Sequence, residues 1–308
     1  MLAINNILLI LDKELDNSTA IKRAMQLCKE QDATLYITTY VYNHACEEGS
    51  LTDLDMRHEL QTMLIEQAQN WGENLMKEFY IPEETPLSIC WCKHAYMAVI
   101  DNLEDASFDL VIKAAASHHS IVDRVMQHQD WNLLKHCPAP VLLVKEKLAW
   151  EARSILAAVD ATSLDESHKI INEHLFEFAE LINKNDNYET HLANSYPMMS
   201  LTLASLPDTP IPEDLQQYVT EQHENACNVL ADKYNIPDNQ QHVREGEPEE
   251  VIIDLAKELD SDVVLVGILS EENLQDVILG STVEHVLDAV HCDVLAIKPQ
   301  DGVSFSKD

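Results

Sequence analysis

The chain has 308 residues, room for two domains of ordinary size, and 46% of them are apolar, which excludes a globally disordered polypeptide. Twenty Lys plus Arg stand against 54 Asp plus Glu, a formal net charge of −34, so nucleic acid and anionic membrane surfaces should repel it. The longest apolar runs, 7–11 and 263–269, have the length of strands and are far too short for a bilayer span. No basic region and no small-residue cleavage site mark the N-terminus as a signal peptide, and seven scattered cysteines do not form a disulfide framework, so a reducing, cytoplasmic location is expected. The acidic residues are spread along the chain and read as a solvated surface, of the kind a saline or cold habitat favours.

In the first half, an apolar run at 7–11 closes at Asp12 and predicts a strand. A helix is predicted over 17–30, a strand over 34–41, a long helix over 54–79 and a strand over 87–92. A helix at 95–104, a strand at 109–113, a helix near 131–136 and a strand at 141–144 complete the half. The second half repeats the order: strand 154–159 ending at Asp160, helix 165–181, strand 189–195 and long helix 212–234 with Pro212 in its first turn. Strand 241–245, helix 248–259, buried strand 262–267, helix 281–290 and strand 294–298 follow.

Landmarks in the two halves also correspond. Leu11-Asp12 answers Val159-Asp160 at an offset of 148, and Asp109-Leu110-Val111-Ile112 answers Asp262-Val263-Val264-Leu265 at 153. The cysteines of Cys137-Pro138-Ala139-Pro140-Val141 and Cys292-Asp293-Val294 lie 155 apart. Matching order and near-constant offsets indicate an internal duplication. The expected organisation is a domain at 1–147, a second at 151–300 and a tail at 301–308. Strands joined by helices imply parallel pairing with right-handed crossovers, and near-continuous apolar strands imply a sheet covered on both faces. The fold class is therefore α/β, two tandem doubly wound parallel-sheet domains, with ligands expected at the carboxyl ends of the strands.

Only six glycines occur, and three of them, Gly246, Gly267 and Gly280, fall within 35 residues of the second half. Gly267 ends a predicted strand; Gly280 immediately precedes Ser281, Thr282 and a helix. A strand-end glycine lets backbone approach a ligand, and a helix N-terminus offers N–H groups and a favourable dipole to phosphate. The same residues also have a purely structural reading, in which Ser281 caps its helix and Gly280 serves the turn.

Gly267-Ile268-Leu269-Ser270, nine residues and then Gly280-Ser281 resemble the nucleotide motif of the universal stress protein family, G-x-x-G-x9-G-[ST]. Gly246-Glu247-Pro248 and the closing Cys292-Asp293-Val294-Leu295-Ala296-Ile297-Lys298 are similar to it as well. The resemblance spans both halves, and its duplicated order looks most like the tandem, E-type members found in proteobacteria. It implies the adenine-nucleotide alpha hydrolase-like fold and a stress-response binding and regulatory protein holding ATP or AMP, with Mg2+, in the second half. By the same resemblance, Val159 and Asp160 would meet the adenine or ribose, and Val266 and Gly267 the base and phosphate entry. Leu269 and Ser270 would follow the phosphate loop, and Gly280, Ser281 and Thr282 would hold phosphates. Asp160 has an alternative role, closing a βα loop, because Asp12 stands at the same point in the first half.

Two departures from the pattern bear on the ligand. Ser270 replaces the motif's second glycine, and Glu271, Glu272 and Asp276 follow it. Three carboxylates repel a polyphosphate unless a divalent cation intervenes, which leaves a monophosphate, or no nucleotide, open. The first half lacks the motif: its loop reads Ala114-Ala115-Ala116-Ser117-His118-His119-Ser120, and it is expected to bind no nucleotide in the family's manner.

Cys90, Cys92 and His94 alternate on a strand, but their spacing is not a common zinc pattern, and a core role is expected. No nucleophile elbow, P-loop or metalloprotease motif occurs. The only chemistry the resemblance allows is slow ATP hydrolysis or autophosphorylation at Ser281 or Thr282. The alternative reading is a nucleotide-independent scaffold or small apolar-ligand carrier, with 196–210 walling a cavity. The apolar last strands, 141–144 and 294–297, would pair within the chain as a pseudo-dimer, and a homodimer is the further expectation.

Overall fold

The structure is a computed structural model and describes residues 3–46, 53–103, 107–115, 130–145, 150, 152–184, 188–198, 214–269 and 281–299. The chain divides into two compact units, Ala3–Glu146 and a second that includes Lys147–Asp308.

In the first unit, β1 (Asn6–Leu11), β2 (Thr34–Val41), β3 (Leu87–Trp91), β4 (Leu110–Ala114) and β5 (Val141–Val144) lie in the order β3-β2-β1-β4-β5. Every pair is parallel. In the second unit, β6 (Ser154–Ala158), β7 (Glu189–Tyr196), β8 (Gln241–Glu245), β9 (Val263–Gly267) and β10 (Asp293–Ile297) lie in the order β8-β7-β6-β9-β10, again all parallel. The two orders are the same. Each unit is the doubly wound parallel sheet that its alternation of strands and helices predicts.

Burial follows the patterns that predict the strands. Ile7, Leu8, Leu9 and Ile10 are wholly buried in β1, and Val263, Val264 and Leu265 in β9, as strands covered on both faces require. Helix Ser18–Gln31 buries Ala20, Ile21, Ala24 and Leu27 against its sheet, and helix Glu166–Ile182 buries Ile171, Leu175, Phe176 and Ala179. Boundaries move by a few residues from expectation. The strand expected at 109–113 runs Leu110–Ala114, and the helix expected from 212 is described from Leu215; Pro212 lies outside the described residues.

The boundary at Asp109 has a physical reason that the duplication repeats. The Asp109 carboxylate accepts hydrogen bonds from the backbone N–H groups of Asn5 (2.8 Å) and Asn6 (2.9 Å). In the second unit, the Asp262 carboxylate accepts from the Arg153 N–H at 2.6 Å. Each aspartate stands just before its strand and ties it to the start of the central strand, satisfying backbone donors that have no ladder partner.

In an open parallel sheet, ligands collect beyond the carboxyl ends of the strands where the winding direction reverses. That point lies between β1 and β4 in the first unit and between β6 and β9 in the second.

Candidate functional site

A cavity of about 630 Å³ opens at the switch point of the second unit. Val159 and Asp160 enter it from the end of β6, Ala193–Pro197 from β7, and Val266–Leu269 from β9 and beyond. Helix Glu166–Ile182 presents His168, Ile171 and Asn172, helix Pro248–Glu258 presents Val251 and Ile252, and helix Ser281–Ala289 presents Thr282 and Val283. Most of the wall is aliphatic, with few polar groups, the usual make-up of a small-molecule site.

The polar groups are held in place by one another. Asp165 starts helix Glu166–Ile182, its carboxylate accepting from the Ser167 N–H at 2.8 Å, which aims Asn172 one face later at the end of β6. Asn172 grips the backbone of Asp160 from both sides: its Oδ1 accepts from the Asp160 N–H at 3.2 Å, and its Nδ2 donates to the Asp160 carbonyl at 2.8 Å. The Asp160 carboxylate has its Oδ2 3.0 Å from His168 Nδ1, and the side chain is 48% exposed. Asn194 donates to the Val159 carbonyl at 3.0 Å, and its Oδ1 faces His223 Nδ1 at 2.7 Å, so the imidazole donates from Nδ1. Burial pushes the His223 pKa below its ordinary value, against the pull of Asp160.

Two glycines shape the walls. Gly246 has φ +145°, a conformation side chains avoid, and it lets the chain turn from β8 into helix Pro248–Glu258, whose first-turn Pro248 suits that start. Gly267 has another reason. A Cβ there would meet Ile171 Cγ2 at 2.3 Å, so the helix and β9 approach too closely for a side chain.

Of the residues singled out in the sequence, Val159, Asp160, Val266, Gly267, Leu269 and Thr282 line this one cavity. Ser281 begins the last helix. Ser270 and Gly280, with Glu271, Glu272 and Asp276, lie outside the described residues. The segment proposed as a cavity wall contributes Tyr196 and Pro197, and 199–213 lies outside the described residues. Asn172, Asn194 and His223 were not singled out. The signal for the asparagines was faint: an amide in an otherwise apolar helix face, and another in the middle of a buried strand.

The sequence model of the universal stress protein family matches residues 3–145 and again 151–298. The chain belongs to the universal stress protein family. It is 31% identical over 298 residues to "Universal stress protein E" of Escherichia coli K12, covering 96% of this chain and 94% of that one. It is 30% identical to a "Universal stress protein E homolog" of Haemophilus influenzae, covering 96% and 97%. A solved structure of a putative universal stress protein from Pseudomonas aeruginosa shares the fold, with TM-score 0.70, 23% identity and 96% and 94% of the two chains covered.

Within this universal stress protein, the corresponding place in the first domain is filled from inside. Strand register pairs Ile10 with Thr38 and Ala158 with Ala193, so Tyr40 stands where Ser195 does. The offset of 153 puts Lys113 where Val266 is. Lys113 is wholly buried, its Nζ 2.9 Å from Asp130 Oδ1 and 3.3 Å from Asp12 Oδ2, and it donates to the Ala114 carbonyl at 3.1 Å. The Tyr40 hydroxyl donates to Asp12 Oδ2 at 2.7 Å. The asparagine grip is kept: Asn17 Oδ1 accepts from the Asp12 N–H at 3.0 Å, and Nδ2 donates to the Asp12 carbonyl at 2.8 Å. Asp12 and Asp160 therefore share a backbone role and differ in what their carboxylates face.

Cys90 and Cys92 are buried, and burial raises both thiols, Cys92 to about 12, so neither is poised as a thiolate. Among the described residues, no group of three or more His, Cys, Asp or Glu side chains is arranged to hold a metal ion. No described helix is long and apolar enough to cross a membrane.

Beside the cavity, His191 Nδ1 lies 3.0 Å from His242 Nε2, joining β7 to β8 across the sheet through one shared proton. Burial lowers the pKa of both, reinforced for His242 by His191 and Arg244, while Glu189 opposes it at His191 and Glu258 at His242. The unfolded chain then binds more protons once pH falls through the ordinary value of 6.5, and stability drops until pH passes below the lowered folded values. A His242→Gln chain is expected to lose less stability than the parent between pH 7.5 and 5.5, measured by urea unfolding.

Proposed function

We propose that this chain is a stress-response binding and regulatory protein whose second domain holds one adenine nucleotide, while its first domain holds none. The observation that carries the reading is the cavity at the β6/β9 switch point, whose lining includes Val159, Asp160, Val266, Gly267, Leu269 and Thr282, six of the residues that the family resemblance singles out. An aliphatic wall of Val159, Val251, Ile252 and Val266 suits a planar base, and the half-exposed Asp160 carboxylate, on a backbone that Asn172 grips, suits ribose hydroxyls. Mg2+ would be needed for any longer phosphate chain, given the acidic residues that follow Ser270.

The first domain's filled site supports a structural or partner-facing role there. The apolar last strands, Val141–Val144 and 294–297, support an intramolecular pseudo-dimer of the two tandem domains, and the composition supports a cytoplasmic location.

Isothermal titration with AMP and ATP, each with and without Mg2+, tests the reading. About one equivalent of saturable ligand is expected, lost in Gly280→Val. The aliphatic lining also favours a second reading, a carrier of a small apolar ligand. An apolar fluorescent probe that binds the cavity and is not displaced by any adenine compound would support the carrier instead.

A further inference from the structure

The charges around this cavity bear on which member of the adenine series it takes. Among the described residues, no lysine or arginine lines it. The ionisable side chains in its described wall are Asp160, His168 and Glu247. Just behind Thr282 stands Glu249, which accepts the Thr282 hydroxyl at 3.3 Å and lies 3.5 Å from His285 Nδ1. The carboxylates of Asp160, Glu247 and Glu249 are opposed by two imidazoles, and each imidazole already faces a carboxylate. Three carboxylates thus face the described rim with no lysine or arginine against them, and the further imidazole nearby, His223, which feels the Asp160 charge, is held below its ordinary pKa by burial. Lys169, one residue from His168, is held by Glu166 at 2.8 Å.

The helix ends that normally attract phosphate are compromised in the same way. Helix Pro248–Glu258 opens with Glu247 as its cap and Glu249 and Glu250 in its first turn, so its dipole is already met by three carboxylates of the chain itself. The Thr282 hydroxyl, where the family pattern would put a phosphate contact, donates to Glu249. A phosphate oxygen arriving there must displace one anion and sit beside it.

We infer that the site takes the low-charge end of the adenine series, adenosine or AMP, in preference to ADP and ATP. This rests on the adenine-site reading above and sharpens it. The aliphatic floor and Asp160 recognise base and ribose, and each added phosphate charge meets a rim of like sign. Preference should fall in the order of charge and should shrink as ionic strength rises, because part of the rim is exposed to solvent.

The test is titration of the full chain with adenosine, AMP, ADP and ATP at fixed pH, without divalent cation, at low and high salt, then in Glu247→Gln/Glu249→Gln. Glutamine at 249 keeps an acceptor for Thr282 and removes only the charge. The expected result is AMP or adenosine bound about tenfold or more tighter than ATP, a gap that narrows in salt, with Mg2+ and in the double variant. ATP bound tightest without a divalent cation, with a gap unmoved by the double variant, overturns the charge inference and leaves the adenine site standing. No binding by any of the four compounds overturns the adenine-site reading and this inference with it.

Discussion

Replacing Lys113 by methionine is expected to cost about 3–5 kcal/mol of folding stability, the range for removing one partner from a buried charge cluster. Lys113 is 0% exposed and sits between Asp130 at 2.9 Å and Asp12, itself 3% exposed, at 3.3 Å. Burial alone would drive the ammonium toward neutrality, but the two carboxylates outweigh it and hold the Lys113 pKa above its ordinary value. A raised pKa in the folded state means that this stabilisation is complete below the ordinary value of 10.5 and is lost only as pH climbs beyond it. Methionine fills much of the volume but leaves Asp12 and Asp130 without their ammonium. Adding Asp12→Asn and Asp130→Asn should restore most of the loss, because neutral amides need no counter-charge. Urea unfolding at pH 7.5 measures both variants. A Lys113→Met chain within about 1 kcal/mol of the parent contradicts the cluster's role.

The second large effect is expected at Gly267. A Cβ added there meets Ile171 Cγ2 at 2.3 Å, and Ile171 is itself 5% exposed and fixed in the core of helix Glu166–Ile182. Gly267→Ala should destabilise by about 1–3 kcal/mol through overpacking. In an Ile171→Ala background the same change should cost little, giving a clear coupling energy in a double-mutant cycle. A phosphate-contacting role alone predicts the opposite pattern: lost affinity with unchanged stability, and no coupling to Ile171. The geometry makes Gly267 first of all a contact between helix and sheet, which brings Ile171 and Asn172 to the end of β6.

How much of this was legible in the sequence depends on the range of the forces involved. Strands such as β1 and β9 are continuous apolar runs, and the duplicated landmarks at Asp12/Asp160 and Asp109/Asp262 are local patterns. Both were visible without coordinates, and so was the fold class. Of the residues that the family resemblance marked, Val159, Asp160, Val266, Gly267, Leu269 and Thr282 come together at the candidate cavity. The residues that hold it were not marked. Asn172 reaches back 12 positions to grip Asp160, and Asn194 and His223 meet across 29 positions, distances at which spacing carries no information. Asp109 read as the first residue of a strand, whereas its side chain serves the start of β1 instead.

The first domain shows the same limit from the other side. Its missing glycines marked the absence of the motif, but they did not show which side chains stand at the corresponding place. One sign was available: Lys113 is the single charge in the otherwise apolar strand Leu110–Ala114, at the position that the offset of 153 assigns to Val266. A lone lysine in a buried run requires a carboxylate partner. Sequence alone does not say that the partners are Asp12, 101 positions away, and Asp130, nor that Tyr40 joins them from β2.

The central claim is that one domain carries the ligand site and the other has closed its own. Amide hydrogen exchange of the full chain with and without saturating AMP tests it most directly. Added protection is predicted at Val159–Asp160, at 193–197 and around Gly246–Ile252, with the segments around Asp12–Asn17, Tyr40 and Lys113 unchanged. Protection at Asp12–Asn17 and Lys113, or equal protection in both domains, would contradict the account.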